Sequence, residues 1–436
     1  MKIAVIGAGL AGLTAAYRLH QAGIHADIFE AQNRVGGRVF STQIKNYLGK
    51  SSTVEWGGQS ITDGGDTNHL LDLIREFSLN THDITIKLNS RVYCNETYTD
   101  FIQSIGNTPL TLEKVEKTAT QSESIGHLID VLFKDNPVAH QALITRMTAY
   151  EGVNAYEQSI YHNLETFIYA ISGGLSKFHD AFSHEKNQIV MMGIVDGNQQ
   201  LPNLMAEKLK DKLNLEKILS KVTLTTTGAE LIFSDKTVLN YDKVILAVPI
   251  PLYKKIDLSE THIPKDRLNT IYNIGFGQNY KIAVPYNLRT RNNYRSVMTE
   301  NTVSFFNTEE KIALIYATQP LENIENLCKI TAEGLGLEQQ SYNNFTTHDW
   351  NTDPFALGSY SGYSTKVSKE LDEHATFNNI IYKKLFLPIE NKLFFAGEHT
   401  TLLDCIGTME AAVESGERIA NAIIQDTSPQ TPHSGL

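Results

Sequence analysis

One pattern near the start restricts the fold more than any other: Lys2-Ile3-Ala4-Val5-Ile6 runs straight into Gly7-Ala8-Gly9-Leu10-Ala11-Gly12. The apolar run has the length of a buried parallel strand, and Leu13 to Gln21 then carries apolar residues at helical spacing. His25 to Phe29 reads as a second strand, and the acid Glu30 stands at its end, eighteen residues beyond Gly12. Each glycine has a task. Gly7 permits the tight turn, Gly9 lets a pyrophosphate approach the backbone, and Gly12 lets helix and strand pack closely. The helix N-terminus offers free N–H groups to the anion, and an acid at this spacing accepts hydrogen bonds from a ribose. The unit therefore suits a dinucleotide. A secretory signal would have no use for three spaced glycines or for the second strand with its acid.

Arg34-Val35-Gly36-Gly37-Arg38 follows the acid directly, so cationic donors flank a point where phosphate can reach the backbone. A second pair, Gly57-Gly58, lies in Glu55-Trp56-Gly57-Gly58-Gln59. Coupled to Glu30, these segments resemble those that large flavin-dependent oxidases and desaturases place beside FAD, and that resemblance favours a flavin dinucleotide over a nicotinamide one. Late in the chain, Phe394-Phe395-Ala396-Gly397-Glu398-His399-Thr400 reads as a buried strand ending in glycine and polar groups. After it, Gly407-Thr408-Met409-Glu410 opens a helix with an apolar face.

The chain has 436 residues, enough for two or three domains, and 41% of them are hydrophobic. A formal charge of −11 with no basic run argues against nucleic acid and mildly favours cationic substrates. Cys94, Cys328 and Cys405 are scattered, which indicates neither disulfides nor a metal site and suits a reducing cytoplasm. No stretch of 18 apolar residues is present, so no spanning helix and no membrane partner are expected.

Patterning along the chain divides it into interleaved parts. Residues 1–69, 190–266 and 389–425 are expected to form a Rossmann-like FAD-binding domain. Residues 70–189, mainly helical, and 267–388 are expected to form an α+β substrate-binding domain, and residues 426–436 a disordered tail. Within these parts, Asp196 to Pro202 is expected to open a helix reaching about Leu213. Strands are expected at Lys221 to Thr226, Glu230 to Ser234, Val244 to Val248, Lys281 to Val284 and Lys311 to Tyr316.

Together these motifs resemble the flavin-containing amine oxidase family, which includes monoamine, polyamine and L-amino acid oxidases. The pieces that carry it are the Gly7, Gly9, Gly12 turn with Glu30, the Arg34 to Arg38 segment, Gly57-Gly58 and Asp196 to Pro202. Trp350 with Gly358-Ser359-Tyr360, and Phe395 to Thr400 through Met409, complete it. The resemblance implies FAD as cofactor, a small-molecule amine and O2 as reaction partners, and room for a homodimer. It places Lys281 beside flavin N5, Trp350 near the flavin ring and Tyr360 as one wall of an aromatic cage. It also places Val222 at a backbone contact to adenine, and Glu398 with Gly397 and Met409 against the cofactor.

Two departures from the monoamine oxidase pattern matter. Ser359 stands where those enzymes carry the cysteine joined to the flavin, so FAD is expected to be held non-covalently. Thr408 stands in place of the second cage tyrosine, which admits polyamine, amino-acid or larger amine substrates. An L-amino acid oxidase would need a cation for the substrate carboxylate, and Arg91 and Arg146 are available. A flavin desaturase, a porphyrinogen oxidase or a non-catalytic FAD-binding protein are the remaining readings.

Overall fold

The computed structural model describes residues 1–46, 48–62, 68–84, 89–172, 191–286, 294–307, 310–337, 344–367 and 369–427. Its organising element is a five-stranded parallel sheet, ordered Leu213–Asn214, Ala26–Phe29, Ile3–Ile6, Lys243–Leu246, Leu393–Phe395. The three inner strands are almost wholly apolar and buried on both faces, as a parallel sheet covered on both sides requires. Ile3 pairs with Ala26 on one side and with Lys243 on the other. The last strand comes from the far end of the chain, and Val244 pairs with Leu393. Helix Leu10–Gln21 and the closing helix Met409–Thr427 pack together on one face of this sheet, where Gly416 approaches the backbone of Ala11 at 2.4 Å for a built Cβ. Both ends of the chain thus meet at one sheet.

A four-stranded sheet, ordered Val238–Tyr241, Ala229–Phe233, Leu219–Leu224, Asp257–Glu260, lies beside it and shares the core of Phe29, Phe233 and Leu246. A seven-stranded sheet is built from Thr346–Asp349, Tyr280–Pro285, Ile312–Ala317, Val303–Asn307, Ser296–Met298, Ser90–Cys94 and Thr97–Asp100. Helices Phe101–Gly106, Leu112–Ala119, Ile125–Leu132, Pro137–Thr145 and Ile160–Ile171 cover it through one core that holds Leu128, Phe167 and Trp350. The architecture is mixed α/β, with a Rossmann-like sheet joined to an α+β unit.

Three expectations need correction. The helix starting near Pro202 spans Gln200–Lys208, because Leu213–Asn214 leaves it to pair with Ile28 and Phe29 as the sheet's edge. The first insertion is less helical than expected: Ser90–Cys94 and Thr97–Asp100 join the seven-stranded sheet, and Thr81–Asp83 pairs with Met191–Ile194. Asp426 and Thr427 belong to the closing helix rather than to a tail, and residues 428–436 lie outside the described residues, as do residues 173–190 around the expected boundary at 189. Among the described residues no helix is long and apolar enough to cross a membrane. Nor do these residues group three or more His, Cys, Asp or Glu side chains around a metal position.

Candidate active site

A cavity of about 610 Å³ runs between the parallel sheet and the seven-stranded sheet. Gly7, Gly9, Glu30, Gly36, Gly37 and Arg38 line one end. Gly7 adopts φ 102° and donates its N–H to Phe29 O at 2.8 Å, which turns the chain from strand to helix. A Cβ on Gly9 would meet nothing within 4 Å, so the backbone there stands open to a ligand, and no side chain caps the helix that follows. Gly12 does not line the cavity; its Cβ would lie 2.0 Å from Gly7 O, so it closes the packing of helix on turn. Glu30 is buried and accepts from Ala8 N at 2.7 Å and Gln32 N at 2.8 Å. Burial raises its carboxyl above the usual range in spite of those donors.

Two neighbouring residues act one step back. Arg34 donates to Gly37 O at 2.9 Å and lies 4.2 Å over the Phe40 ring, bracing the Gly36-Gly37 turn without lining the cavity. Val222 is fully buried within its strand, and the cavity is lined instead by Leu219 and Ser220 of that strand. The open cradle, the buried acid and the glycine turn suit the pyrophosphate and ribose of a dinucleotide.

The segment Asp196 to Pro202 has a mechanical purpose the sequence did not disclose. Asn198 donates its side-chain N–H groups to Gly58 O at 2.9 Å and Gln59 O at 3.0 Å, and its backbone N–H to Glu55 Oε1 at 2.8 Å. Gln199 N donates to Ser41 Oγ, which itself donates to Glu55 Oε2 at 2.6 Å. The Gly57-Gly58 loop is thereby fixed along the cavity. Lys281 reaches the same loop from strand Tyr280–Pro285 and donates to Glu55 O at 3.3 Å and Gly57 O at 3.0 Å. Its burial pushes the ammonium down to about 7, against a smaller upward pull from the Glu55 carboxylate. Burial in turn pushes the Glu55 carboxyl up.

At the other side of the cavity Gly397, with φ 142°, carries the chain from strand Leu393–Phe395 into Glu398. Glu398 is 4% exposed and receives four donors: Arg38 at 2.9 Å, Ser361 Oγ at 2.9 Å, Ser361 N at 3.2 Å and Gly407 N at 3.0 Å. Burial alone would raise this carboxyl, yet the charge of Arg38 and these donors hold it below the usual carboxylate range. Gly58 and Met409 touch across the gap, where a Cβ on the glycine would lie 2.9 Å from Met409 Sδ. Ser359 is buried on the cavity wall, and its Oγ has no hydrogen-bond partner among the described residues. A serine hydroxyl lacks the nucleophilic thiolate that a thioether link requires.

Thr408 lines the cavity, but its hydroxyl serves the helix: Oγ1 accepts from Ala411 N at 3.1 Å and donates to Cys405 O at 2.7 Å. It is the N-cap of Met409–Thr427. Thr408→Ala is expected to cost about 1 kcal/mol through loss of that cap, read as a lowered Tm, with the preference among amines retained.

Aromatic rings gather beyond Lys281. Its Nζ lies 4.7 Å from the centre of the Tyr316 ring, and Tyr316 is 5.6 Å from Tyr150. Tyr360 donates to the Tyr150 carbonyl, Tyr316 donates to Gln59, and Trp350 donates Nε1 to Trp56 O at 2.7 Å. All of Lys281, Tyr316, Tyr150, Tyr360, Trp350 and Glu151 line the cavity. Tyr150, Glu151 and Tyr316 were not anticipated. Neither arginine proposed as a carboxylate partner lines the cavity: Arg91 lies 4.2 Å over the Tyr294 ring, and Arg146 is engaged by Glu151 at 2.9 Å.

Comparison with known proteins agrees with this geometry. A family profile described as flavin containing amine oxidoreductase matches residues 10–424. A lysine-specific histone demethylase 1 homolog 2 of Arabidopsis thaliana is 27% identical over 97% of this chain and 58% of its own length. The chain thus spans little more than half of that relative. A flavin-containing amine oxidase of Danio rerio is 22% identical over 97% of the chain and 85% of its own length. Among solved structures, wild-type putrescine oxidase bound to putrescine superposes with a TM-score of 0.71 at 19% identity, covering 98% of this chain and 99% of that one. Cyclohexylamine oxidase from Brevibacterium oxydans gives 0.73 at 16% identity, with 98% and 99% covered. At those identities the superpositions speak for the fold.

Proposed function

This chain belongs to the flavin-containing amine oxidoreductase family, with FAD as its cofactor, and on that footing we propose that it oxidises an amine to an imine. The imine hydrolyses to an aldehyde or ketone plus ammonia or a smaller amine. When bound, FAD would supply the acceptor for the hydride equivalents leaving the carbon that bears the nitrogen, with O2 as the final oxidant, reduced to H2O2. Gly9, Gly36 and Gly37 would face the pyrophosphate, Glu30 the ribose, and Ser359 would leave the flavin without a covalent link.

The observation that carries the reading is the buried Lys281, held on the Gly57 loop over the Tyr316 ring in a cavity that Tyr360 and Trp350 also line. Aromatic faces attract and orient a nitrogen-bearing carbon chain. A lysine pushed down to about 7 is largely neutral in mild alkali, so it does not repel a substrate nitrogen. An amino-acid oxidase is less well supported, because among the described residues no arginine lines the aromatic end of the cavity. Arg38, the arginine that lines the cavity, is engaged by Glu398.

Free alkylamines hold their proton to about 10.4, as lysine does, and the nitrogen must be neutral to release hydride equivalents. Activity is therefore expected to climb from neutral to alkaline pH as the substrate nitrogen loses its proton. The check is kcat/KM against pH, with H2O2 release as the assay and chemistry shown to limit turnover. A flat profile contradicts the proposal. The same assay with a methyllysine peptide tests the reading that the demethylase relatives favour, in which the oxidised carbon is an N-methyl group.

A further inference from the structure

We propose that Glu55, which does not line the cavity, is the positioning residue that sets the charge of Lys281, so that the substrate nitrogen meets an ammonium in acid and a neutral amine in mild alkali. This rests on the amine-oxidase reading of the same cavity and deepens it by naming what controls the lysine on its wall.

The two side chains meet at one loop. Lys281 comes from strand Tyr280–Pro285 of the seven-stranded sheet, lines the cavity and donates to Glu55 O at 3.3 Å and Gly57 O at 3.0 Å. Glu55 ends strand Ser51–Glu55, and its carboxyl group is held on both oxygens: Oε1 accepts from Asn198 N at 2.8 Å and Oε2 from Ser41 Oγ at 2.6 Å. The direction of the second bond is fixed. Ser41 Oγ also accepts from Gln199 N at 3.0 Å, so the one proton of the hydroxyl is free to go to Glu55. Donors on both oxygens hold Glu55 as a carboxylate, and the two carbonyls on Nζ favour the ammonium form of Lys281.

Among the described residues, the other titratable groups around Lys281 are neutral or engaged elsewhere. Tyr316, whose ring centre lies 4.7 Å from Nζ, Tyr150 and Tyr360 are phenols that burial pushes up. His348 stands opposite Lys281 on the paired strand Thr346–Asp349, and burial pushes its imidazole down. The charges of Asp353, Arg34 and Asp349 act on that imidazole. Glu151 is engaged by Arg146 at 2.9 Å, and Glu398 engages Arg38 at the same distance. Glu55 is therefore the charge that opposes burial at Lys281, and burial prevails far enough to bring the ammonium down to about 7. Without the Glu55 charge burial acts unopposed, and Lys281 gives up its proton at a lower pH.

The test uses FAD-loaded protein carrying lysine labelled with carbon-13 at Cε, whose chemical shift reports the charge of each amine. The Lys281 signal is the one missing from Lys281→Met. In the wild type it is expected to titrate at about 7, and in Glu55→Gln at least about one pH unit lower, the effect of removing one nearby opposite charge. Glu55→Asp, which keeps the charge, is expected to stay nearer the wild-type midpoint. Ser41→Ala removes the donor on Oε2 and lets the carboxyl take up a proton more readily, so it lowers the midpoint by a smaller step and serves where Glu55→Gln does not fold. A midpoint that stays in place or rises in Glu55→Gln, or in Ser41→Ala where that variant alone folds, overturns the proposal. The titration needs no turnover, so that result leaves amine oxidation standing. A midpoint that falls, in a protein whose flavin no amine reduces, keeps the control of Lys281 by Glu55 and overturns the amine-oxidase reading instead.

Discussion

Replacing Glu398 with alanine is expected to lower stability by about 3–5 kcal/mol and to empty the protein of FAD, because the change leaves the Arg38 charge half-buried without its partner. The carboxylate is the hub of four donors that arrive from three parts of the chain: Arg38, Ser361 and Gly407. Its loss strands those groups and frees the Gly407 turn that leads into the closing helix. Differential scanning calorimetry on protein of measured FAD content checks the first effect, and absorbance after gel filtration checks the second. Glu398→Gln, which keeps the shape and one acceptor, should cost less. The same hub sets an acid limit. The folded carboxyl is held below its ordinary value, so its contribution is complete above the usual glutamate range near about 4.3 and is lost as pH falls through the lower folded value. A wild-type Tm that drops more steeply below about pH 4 than that of Glu398→Gln is the expected signature.

The second large effect falls on adjacent glycines with opposite consequences. A Cβ on Gly57 would sit 1.8 Å from Arg38 O, 2.7 Å from Arg38 C and 3.1 Å from Phe40 N, all backbone atoms. No rotamer change relieves such a clash. The segment that carries Arg38 must move, and with it the partner of Glu398, so Gly57→Ala is expected to cost about 3 kcal/mol or more and to abolish tight FAD binding. At Gly58 the nearest atoms belong to the Met409 side chain, at 2.9 Å, and a thioether chain can give way. Gly58→Ala should cost under about 1.5 kcal/mol, in the range of tolerated core changes. Fluorescence of released FAD on heating separates the two variants; equal behaviour would mean that the Gly57 contact with Arg38 does not hold the site together.

What the sequence disclosed follows from how local each signal is. Strand, glycine turn, helix and acid lie within thirty consecutive residues, and each glycine answers a steric need visible in the spacing, so the cradle was legible. The helix from Gln200 was drawn too long because Leu209 and Leu213 prolong its apolar period, although Leu213 is claimed by pairing with Ile28. A two-residue strand has no period of its own. Thr97–Asp100 was missed for a related reason: Thr97 is exposed and its neighbours only half-buried, so an edge strand shows little apolar alternation.

The aromatic end of the cavity was less legible still. Tyr316 stands in an expected strand, but Ile312–Ala317 is buried on both faces, and period-two reading cannot say which face meets the cavity. Tyr150 and Glu151 depend on a π-helix that has no sequence pattern, and the helical period around Pro137–Thr145 gives no warning of it. Asn198 and Gln199 were recognisable as part of a motif, yet their purpose appears only once Gly58, Gln59 and Ser41 are beside them. Thr408 was read through the substitution it represents, while its hydroxyl works as a helix cap.

The central claim is that this cavity brings an amine to the bound flavin, and an anaerobic titration of the purified FAD-loaded protein with monoamines, diamines and L-amino acids tests it most directly. The account predicts that amines bleach the oxidised-flavin band and that admitting air restores it with release of H2O2. A flavin that stays oxidised with every amine, in protein that retains its FAD, would contradict it.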